Sequence, residues 1–397
     1  MRYLLWCVLI TGFVLNADVV AQPELDTTFN STGKAVFNIG ARAGAWDTVV
    51  QPDNKVIMVS GCYSHNWGYF PFCVVRLNEN GSLDTTFGNF GAPENYGPPG
   101  TVFTKFYSTF NQDGQAYGVA LQNDGKIVVA GTIFASIFNE NIALVRYNSN
   151  GTLDSSFGSG GKVIANLTPD VGENVQAVAI QPEGKIVITG YSFRGDGPPF
   201  SSNTTTQFIA RYLANGTLDS SFGMGGVVRT IRPNASTAGQ SLALQSDGKI
   251  LVGGNYWNIY TFLPPVFQSY LVARFNTNGS PDTTWNGNGF LSIDYDNPRG
   301  DAVTSTSGIR SLAIQPDGRV VALGGFSNIL FRFTTNGSLD TSFDGDGSRQ
   351  ALISGKEPYD LVISSGGRIT VVGLTSWSQL PPSSPFLYHV ARYQQDG

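Results

Sequence analysis

Short runs of aliphatic and β-branched residues alternate with tight polar turns along most of the chain. One stretch shows the pattern: Ala177-Val178-Ala179-Ile180, the turn Gln181-Pro182-Glu183-Gly184, then Lys185-Ile186-Val187-Ile188-Thr189-Gly190. A long irregular segment follows, then Phe208-Ile209-Ala210-Arg211-Tyr212 and the turn Asn215-Gly216-Thr217, while Gly161-Lys162-Val163-Ile164-Ala165 supplies a further run. Such runs predict strands, and the Glu-Gly, Asp-Gly and Asn-Gly pairs predict hairpins, because Gly and Asn tolerate the positive φ of tight turns. No stretch carries the 3.6-residue period of a long amphipathic helix.

The pattern recurs. Leu25-Asp26-Thr27-Thr28-Phe29 returns, with conservative changes, at 83, 153, 218, 281 and 339, so the successive spacings are 58, 70, 65, 63 and 58 residues. Units of this size are supersecondary modules that bury their faces only against neighbours. Four strands per unit repeated around an axis predict an all-β, six-bladed β-propeller of four-stranded antiparallel blades, forming one domain over 22–397. A linear β-solenoid is the alternative. The last unit stops where each earlier one runs into its Leu-Asp-Thr-Thr-Phe segment. Leu25–Phe29 and the strand Gly33-Lys34-Ala35-Val36-Phe37 are therefore expected to close the last blade and cover its edge.

The Gln-Pro-Asp-Gly-Lys/Arg-Ile/Val-Val stretch, the Arg-Tyr/Phe pair and Asn-Gly-Ser/Thr-Leu-Asp-Ser/Thr-Ser/Thr-Phe resemble the delta-60 repeat family of predicted β-propellers over 25–397. Gln181-Pro182-Glu183-Gly184-Lys185 and Gln315-Pro316-Asp317-Gly318-Arg319 match well, and Ser364-Ser365-Gly366-Gly367-Arg368 departs. The resemblance implies a propeller in a secreted or surface setting and brings no shared catalytic residues.

With strands lettered a to d outward from the axis, the a–b and c–d turns share one face and the irregular b–c and d–a connections share the other. Variable loops on a rigid scaffold commonly carry specificity. His65, Trp67, Tyr69, Tyr256, Trp257, Tyr260 and Trp377 fall in these segments and are the candidate ligand-binding residues, suited to stacking on sugars or packing on a protein. The competing reading makes them anchors under their own loops. The recurring Arg76, Arg146, Arg211, Arg274, Arg332 and Arg392 each come with an Asp of the next motif, which points to a structural pair in every blade rather than a cationic ring.

Aligning strand a on its Gln-Pro turn gives Asp47, Gly118, Ala177, Ser241, Ser311 and Asp360, preceded by Trp46, Tyr117, Gln176, Gln240, Arg310 and Tyr359. Ring closure makes the first and sixth inner strands neighbours, so Asp47 and Asp360 are expected to share either a calcium ion or one proton near the channel mouth. No further acidic ring completes an oxygen shell, and two separate solvated carboxylates are the plainer alternative.

Charged residues make up 13% and the net charge is −5, which speaks against nucleic acid as a partner. Arg2, the apolar run Leu4–Ile10 and Val19-Val20-Ala21 read as a signal peptide over 1–21, hence an exported protein without membrane insertion. Export makes a Cys62–Cys73 hairpin disulfide plausible. Nine Asn-x-Ser/Thr sequons, Asn30, Asn166, Asn203 and Asn234 among them, include several of the repeat turns. The two histidines, His65 and His389, join no metalloprotease motif, and there is no nucleophile elbow or phosphate loop. The expectation is a secreted, non-enzymatic propeller that binds a protein or glycan at a cell surface or matrix, without a cofactor unless calcium. A hydrolase or lyase with a channel-mouth metal, and a purely structural surface module, are the rivals.

Overall fold

The computed structural model describes residues 28, 30–31, 45–62, 71–88, 99–106, 114–136, 139–168, 171–193, 205–232, 235–258, 268–295, 308–325, 328–351, 356–375 and 388–397. They form six antiparallel sheets, the blades of a propeller. Blade 1 contains β1 (Asp47–Val50), β2 (Val56–Gly61), β3 (Phe72–Leu77) and β4 (Thr101–Thr104), and blade 2 contains β5 (Gly114–Leu121), β6 (Ile127–Ser136), β7 (Asn139–Tyr147) and β8 (Lys162–Ala165). Blade 3 holds β9 (Gly172–Ile180), β10 (Ile186–Phe193), β11 (Thr205–Tyr212) and β12 (Val227–Thr230); blade 4 holds β13 (Ala235–Leu244), β14 (Ile250–Asn258), β15 (Gln268–Phe275) and β16 (Phe290–Tyr295). Blade 5 is β17 (Ile309–Ile314), β18 (Val320–Gly324), β19 (Ile329–Phe333) and β20 (Ser348–Gln350), and blade 6 shows β21 (Lys356–Ile363), β22 (Ile369–Thr375) and β23 (Tyr388–Tyr393).

Sequence repeat and blade are offset by one strand. The run at Lys162–Ala165 opens the third repeat, yet β8 pairs with β7 and completes blade 2. The inner strands are also longer than their apolar runs suggest: β9 starts at Gly172, five residues before Ala177. The extension is masked in sequence by a β-bulge. Ala116 and Gly118 face consecutive residues of β6, so Tyr117 stands out of the ladder. The same break singles out Gln176, Gln240, Arg310 and Tyr359. A glycine of the second strand sits opposite each of these bulges, and at Gly254 the reason is steric: a Cβ there would lie 1.8 Å from the Ala238 carbonyl oxygen.

The core lies between blades. Ile57, Val59, Phe72 and Val74 of blade 1 pack with Ala116, Val119, Val129 and Val145 of blade 2, and similar layers join the successive blades through blade 6. At the turn face each seam is pinned by one corner. In blade 4, Arg274 Nε donates to Asp282 Oδ2 at 2.7 Å, its Nη2 to Thr284 Oγ1 at 3.0 Å, and its Nη1 to the Thr335 carbonyl of blade 5 at 2.7 Å. The guanidinium lies 4.7 Å over the Trp285 ring, and Gly337 of the next blade sits so close under that ring that a Cβ would come within 2.6 Å. Arg76–Asp84, Arg146–Asp154, Arg211–Asp219 and Arg332–Asp340 repeat the ion pair at 2.7–2.8 Å. Five of the six recurring arginines are thus buried fasteners, as the pairing in sequence suggested, whereas Arg392 is exposed and Asp26 lies outside the described residues.

Cys62 and Cys73 are disulfide-bonded across β2 and β3, with Cα atoms 5.7 Å apart, both wholly buried beside Val75, Leu77 and Phe103. Near the N-terminus, the Asn30 amide donates to the Asn80 carbonyl at 2.6 Å. The residue following the motif aromatic makes the same bond elsewhere, Gly88 to Asn150, Gly158 to Asn215, Gly223 to Asn278 and Asn286 to Asn336, each time from one blade to the next. Asn30 therefore stands where a blade preceding blade 1 would place it. The strand expected over 33–37 and the segment 1–21 lie outside the described residues.

Candidate functional site

The bulges fall between the second and the sixth residue of their inner strands, Arg310 second in β17 and Gln240 sixth in β13, each next to the residue paired with the second-strand glycine. With Trp46 preceding β1 in the same position, Tyr117, Gln176, Gln240, Arg310 and Tyr359 therefore form one ring of equivalent positions on the inner strands. Trp46 is 54% exposed and Tyr359 41%, whereas the other four are half-buried. Trp46 and Tyr117 approach to 5.8 Å between ring centroids, and the Arg310 guanidinium lies 5.1 Å over the Tyr359 ring. A bulge frees a side chain from the in–out alternation of the strand, so the five bulged positions can differ widely in chemistry without disturbing the pairing on either side.

One step along the strand lie Asp47 and Asp360, and the structure brings them together: each half-buried carboxylate is within electrostatic reach of the other. Asp47 Oδ2 accepts the Val119 N–H and Oδ1 the Thr48 N–H, both at 2.8 Å. Asp360 Oδ1 accepts the Ser311 hydroxyl at 2.6 Å and the Leu361 N–H at 2.8 Å. Burial, reinforced by the Asp360 charge, lifts the Asp47 carboxyl to about 7 against the pull of its backbone donors, and burial also raises Asp360. Both Asp47 oxygens are engaged by N–H groups, and among the described residues no group of three or more His, Cys, Asp or Glu side chains gathers to hold a metal, whereas calcium takes six to eight oxygens.

Between blades 2 and 3 lies a polar group the sequence did not single out. Asn174 Nδ2 donates to Glu140 Oε2 at 2.9 Å, the Gln176 amide donates to Asn174 Oδ1, and the Tyr117 hydroxyl donates to Gln115. Burial raises the Glu140 carboxyl, and burial together with the Glu140 charge pushes the phenols of Tyr117 and Tyr191 up to about 12. Glu173 lies deeper, wholly buried, with the Leu167 N–H at 3.0 Å and Arg229 at 3.9 Å; burial raises it to about 7. The contributing residues are far apart in the chain, and only the seam joins them.

Of the aromatic candidates, Tyr256 and Trp257 are described. Both are half-buried and belong to β14, opposite Ser269 and Gln268, not to a loop, because the second strand of blade 4 runs three residues beyond Asn255. His65, Trp67, Tyr69, Tyr260 and Trp377 lie outside the described residues. His389 pairs with Gly373 within blade 6.

Residues 51–87, 122–157, 181–222, 245–284 and 315–343 match a family model described as a β-propeller domain of unknown function, DUF5122. Four of the matches run from an a–b turn to the motif aromatic, and the match over 245–284 stops one residue before Trp285. The chain is a propeller-repeat protein in fold and in sequence. No curated protein matches the sequence. Among solved structures, an α-L-arabinofuranosidase of Fusarium graminearum in complex with an iminosugar inhibitor is 9% identical, covers 90% of this chain and 98% of its own, and superposes with a TM-score of 0.50. An α-L-arabinanase of Penicillium chrysogenum complexed with arabinobiose is 12% identical over 88% of this chain and 93% of its own, TM-score 0.48. The PQQ-bound aldose sugar dehydrogenase of Streptomyces coelicolor is 12% identical over 91% and 98%, TM-score 0.46. At these identities the likeness is one of fold.

Proposed function

We propose that this delta-60-like propeller is an exported recognition protein that binds a glycan at the loop-side mouth of its axis. The observation that carries the reading is the ring of equivalent inner-strand positions, in which exposed Trp46 and Tyr359 of blades 1 and 6 offer flat apolar rings and Gln176 and Gln240 of blades 3 and 4 offer amides. Sugars present just such a mixture, with C–H faces that pack on aromatic rings and hydroxyls that exchange hydrogen bonds with amides. The buried disulfide and the signal-like N-terminus support export. Among the described residues no helix is long and apolar enough to cross a membrane. Profiling the purified protein on a glycan array tests the reading: Trp46→Ala and Tyr359→Ala should each cut binding by tenfold or more while the thermal transition stays near wild type. Retained binding in both folded variants would move the recognition surface elsewhere.

The Asp47–Asp360 pair favours a second reading, a glycan-cleaving enzyme in which a carboxyl that keeps its proton near neutrality serves as general acid. Release of new reducing ends by wild type, abolished in Asp47→Asn, would support it. Intact oligosaccharide after prolonged incubation leaves the binding reading alone.

A further inference from the structure

Arg310 is the one charged side chain among the six equivalent inner-strand positions, and contacts on two sides hold it in place. Its guanidinium lies 5.1 Å over the Tyr359 ring of blade 6. Its stem runs along Gly325, where a Cβ would come within 2.5 Å of Nε, 2.9 Å of Cδ and 3.0 Å of Cγ. The residue after the bulge-facing glycine is Thr132, Tyr191, Asn255 and Leu374 in blades 2, 3, 4 and 6, so blade 5 alone among the bulged blades leaves that floor bare. The next residues along fix the stack in register: the Ser311 hydroxyl donates to Asp360 Oδ1 at 2.6 Å and accepts the Leu361 N–H at 3.3 Å, joining β17 to β21. Blade 5 is also cut short at this level. β17 has one residue before its bulge where β13 has five, and β18 ends at Gly324, so the connection to β19 comprises only residues 325–328. Arg310 thus stands at the loop-side end of its blade.

From these contacts we infer that Arg310, presented by Gly325 and Tyr359, forms an anion subsite of the mouth that takes the carboxylate of a uronic acid residue. The inference rests on the glycan-binding reading above and adds to it both a place and a ligand class. A guanidinium carries five N–H donors in one plane, and stacking on a phenol ring uses its flat face rather than its edge. The edge is the fork that matches the two oxygens of a carboxylate. Tyr359, 41% exposed, lies beside it to pack on a C–H face of the same sugar. Half-burial of Arg310 strengthens the pairing, because less water screens the charge. The two carboxyls of the mouth are turned to other partners, Asp360 to the Ser311 hydroxyl and the Leu361 N–H, and Asp47 to the Val119 and Thr48 N–H groups. Burial favours the neutral form of both, which lessens their repulsion of an incoming acid.

Calorimetric titration of the full chain with oligomers of galacturonate and of mannuronate tests this, each beside its methyl ester, which keeps the shape and loses the charge. Wild type should bind one of the acids about tenfold or more tightly than its ester. Arg310→Gln should bring acid and ester to one affinity. Arg310→Lys, which keeps a charge without the planar fork, should retain only a several-fold preference. Gly325→Ala, which displaces the arginine stem, should shrink the preference while the affinity for the ester stays as in wild type. Equal affinity of wild type for acid and ester in both series, or an acid preference that survives in Arg310→Gln, overturns the subsite. Binding of neutral arabino- or cello-oligosaccharides instead, lost in Trp46→Ala, overturns the subsite and leaves the mouth reading standing. Absence of binding to any saccharide removes both readings. Thermal midpoints near wild type separate these outcomes from misfolding, and Arg310→Lys and Gly325→Ala decide the matter if Arg310→Gln folds poorly.

Discussion

Replacing Asp47 by Asn should make the protein less stable in acid and more stable at neutral and higher pH. The folded state holds a proton on Asp47 up to a pH of about 7, whereas in the unfolded chain the carboxyl has its ordinary value of 3.8. A raised carboxyl value means that the folded state keeps a proton the unfolded state has lost. Stability is therefore highest below pH 4, falls as pH rises from about 4 to 7, and then levels. A shift of about three units corresponds to about 4 kcal/mol across that window, at about 1.4 kcal/mol per unit. Asn cannot ionise and is spared this loss. Its amide offers one acceptor where Asp47 offers two to the Val119 and Thr48 N–H groups, which costs about 1 kcal/mol at every pH. The variant should thus be about 1 kcal/mol less stable than wild type at pH 4 and about 3 kcal/mol more stable at pH 8, the curves crossing near pH 5. Urea titrations followed by tryptophan fluorescence at five pH values read this directly. Glu173 is raised in the same sense, and Asp154 and Asp282 are held down to about 2 by their hydroxyl, backbone and cationic partners, which opposes it in acid. The difference between variant and wild type cancels these background terms. A difference that is the same at pH 4 and pH 8 would refute the buried, proton-holding carboxyl.

Two further outcomes follow from the seams. Arg274→Ala leaves the Asp282 carboxylate buried with only Lys249, 3.2 Å away, as a cationic partner, and strips a bond to blade 5, so a loss of about 3 kcal/mol is expected by chemical denaturation; Arg274→Ala combined with Asp282→Ala should cost less than the sum of the two single changes. Deleting residues 25–40 should remove the Asn30–Asn80 contact and uncover the edge of blade 6, lowering the thermal midpoint and increasing aggregation, whereas an unaltered cooperative transition would exclude closure by the N-terminus.

The repeats made the blades legible because each strand carries its own turn chemistry, and the Arg–Asp corner was legible because the two residues keep one spacing in every copy, as at Arg211 and Asp219. Cys62 and Cys73 could be paired from their flanking strands. Aligning on the Gln-Pro turn even assembled the row from Trp46 to Tyr359, though not the reason for it. The bulge leaves only faint traces in sequence, chiefly a glycine in the second strand, such as Gly254, whose partner carbonyl lies at a distance no pattern of hydrophobicity records. Glu140, Asn174 and Tyr191 escaped notice because they come from β7, β9 and β10 of two blades, each unremarkable in its own strand. Trp257 looked like a loop residue because polar and aromatic neighbours hide the end of β14.

The bulges also separate inheritance from invention. A change at Tyr117, Gln176, Gln240, Arg310 or Tyr359 alters the rim without disturbing the ladder on either side, since the residue is skipped by the pairing, and the fasteners that hold the blades lie at the opposite face. Duplicated copies can therefore diverge at the rim one blade at a time while each intermediate still folds. For the experimenter the same arrangement offers Trp46 and these five positions as a randomisable circle on a fixed frame, in which new specificities can be selected without redesigning the barrel of blades beneath.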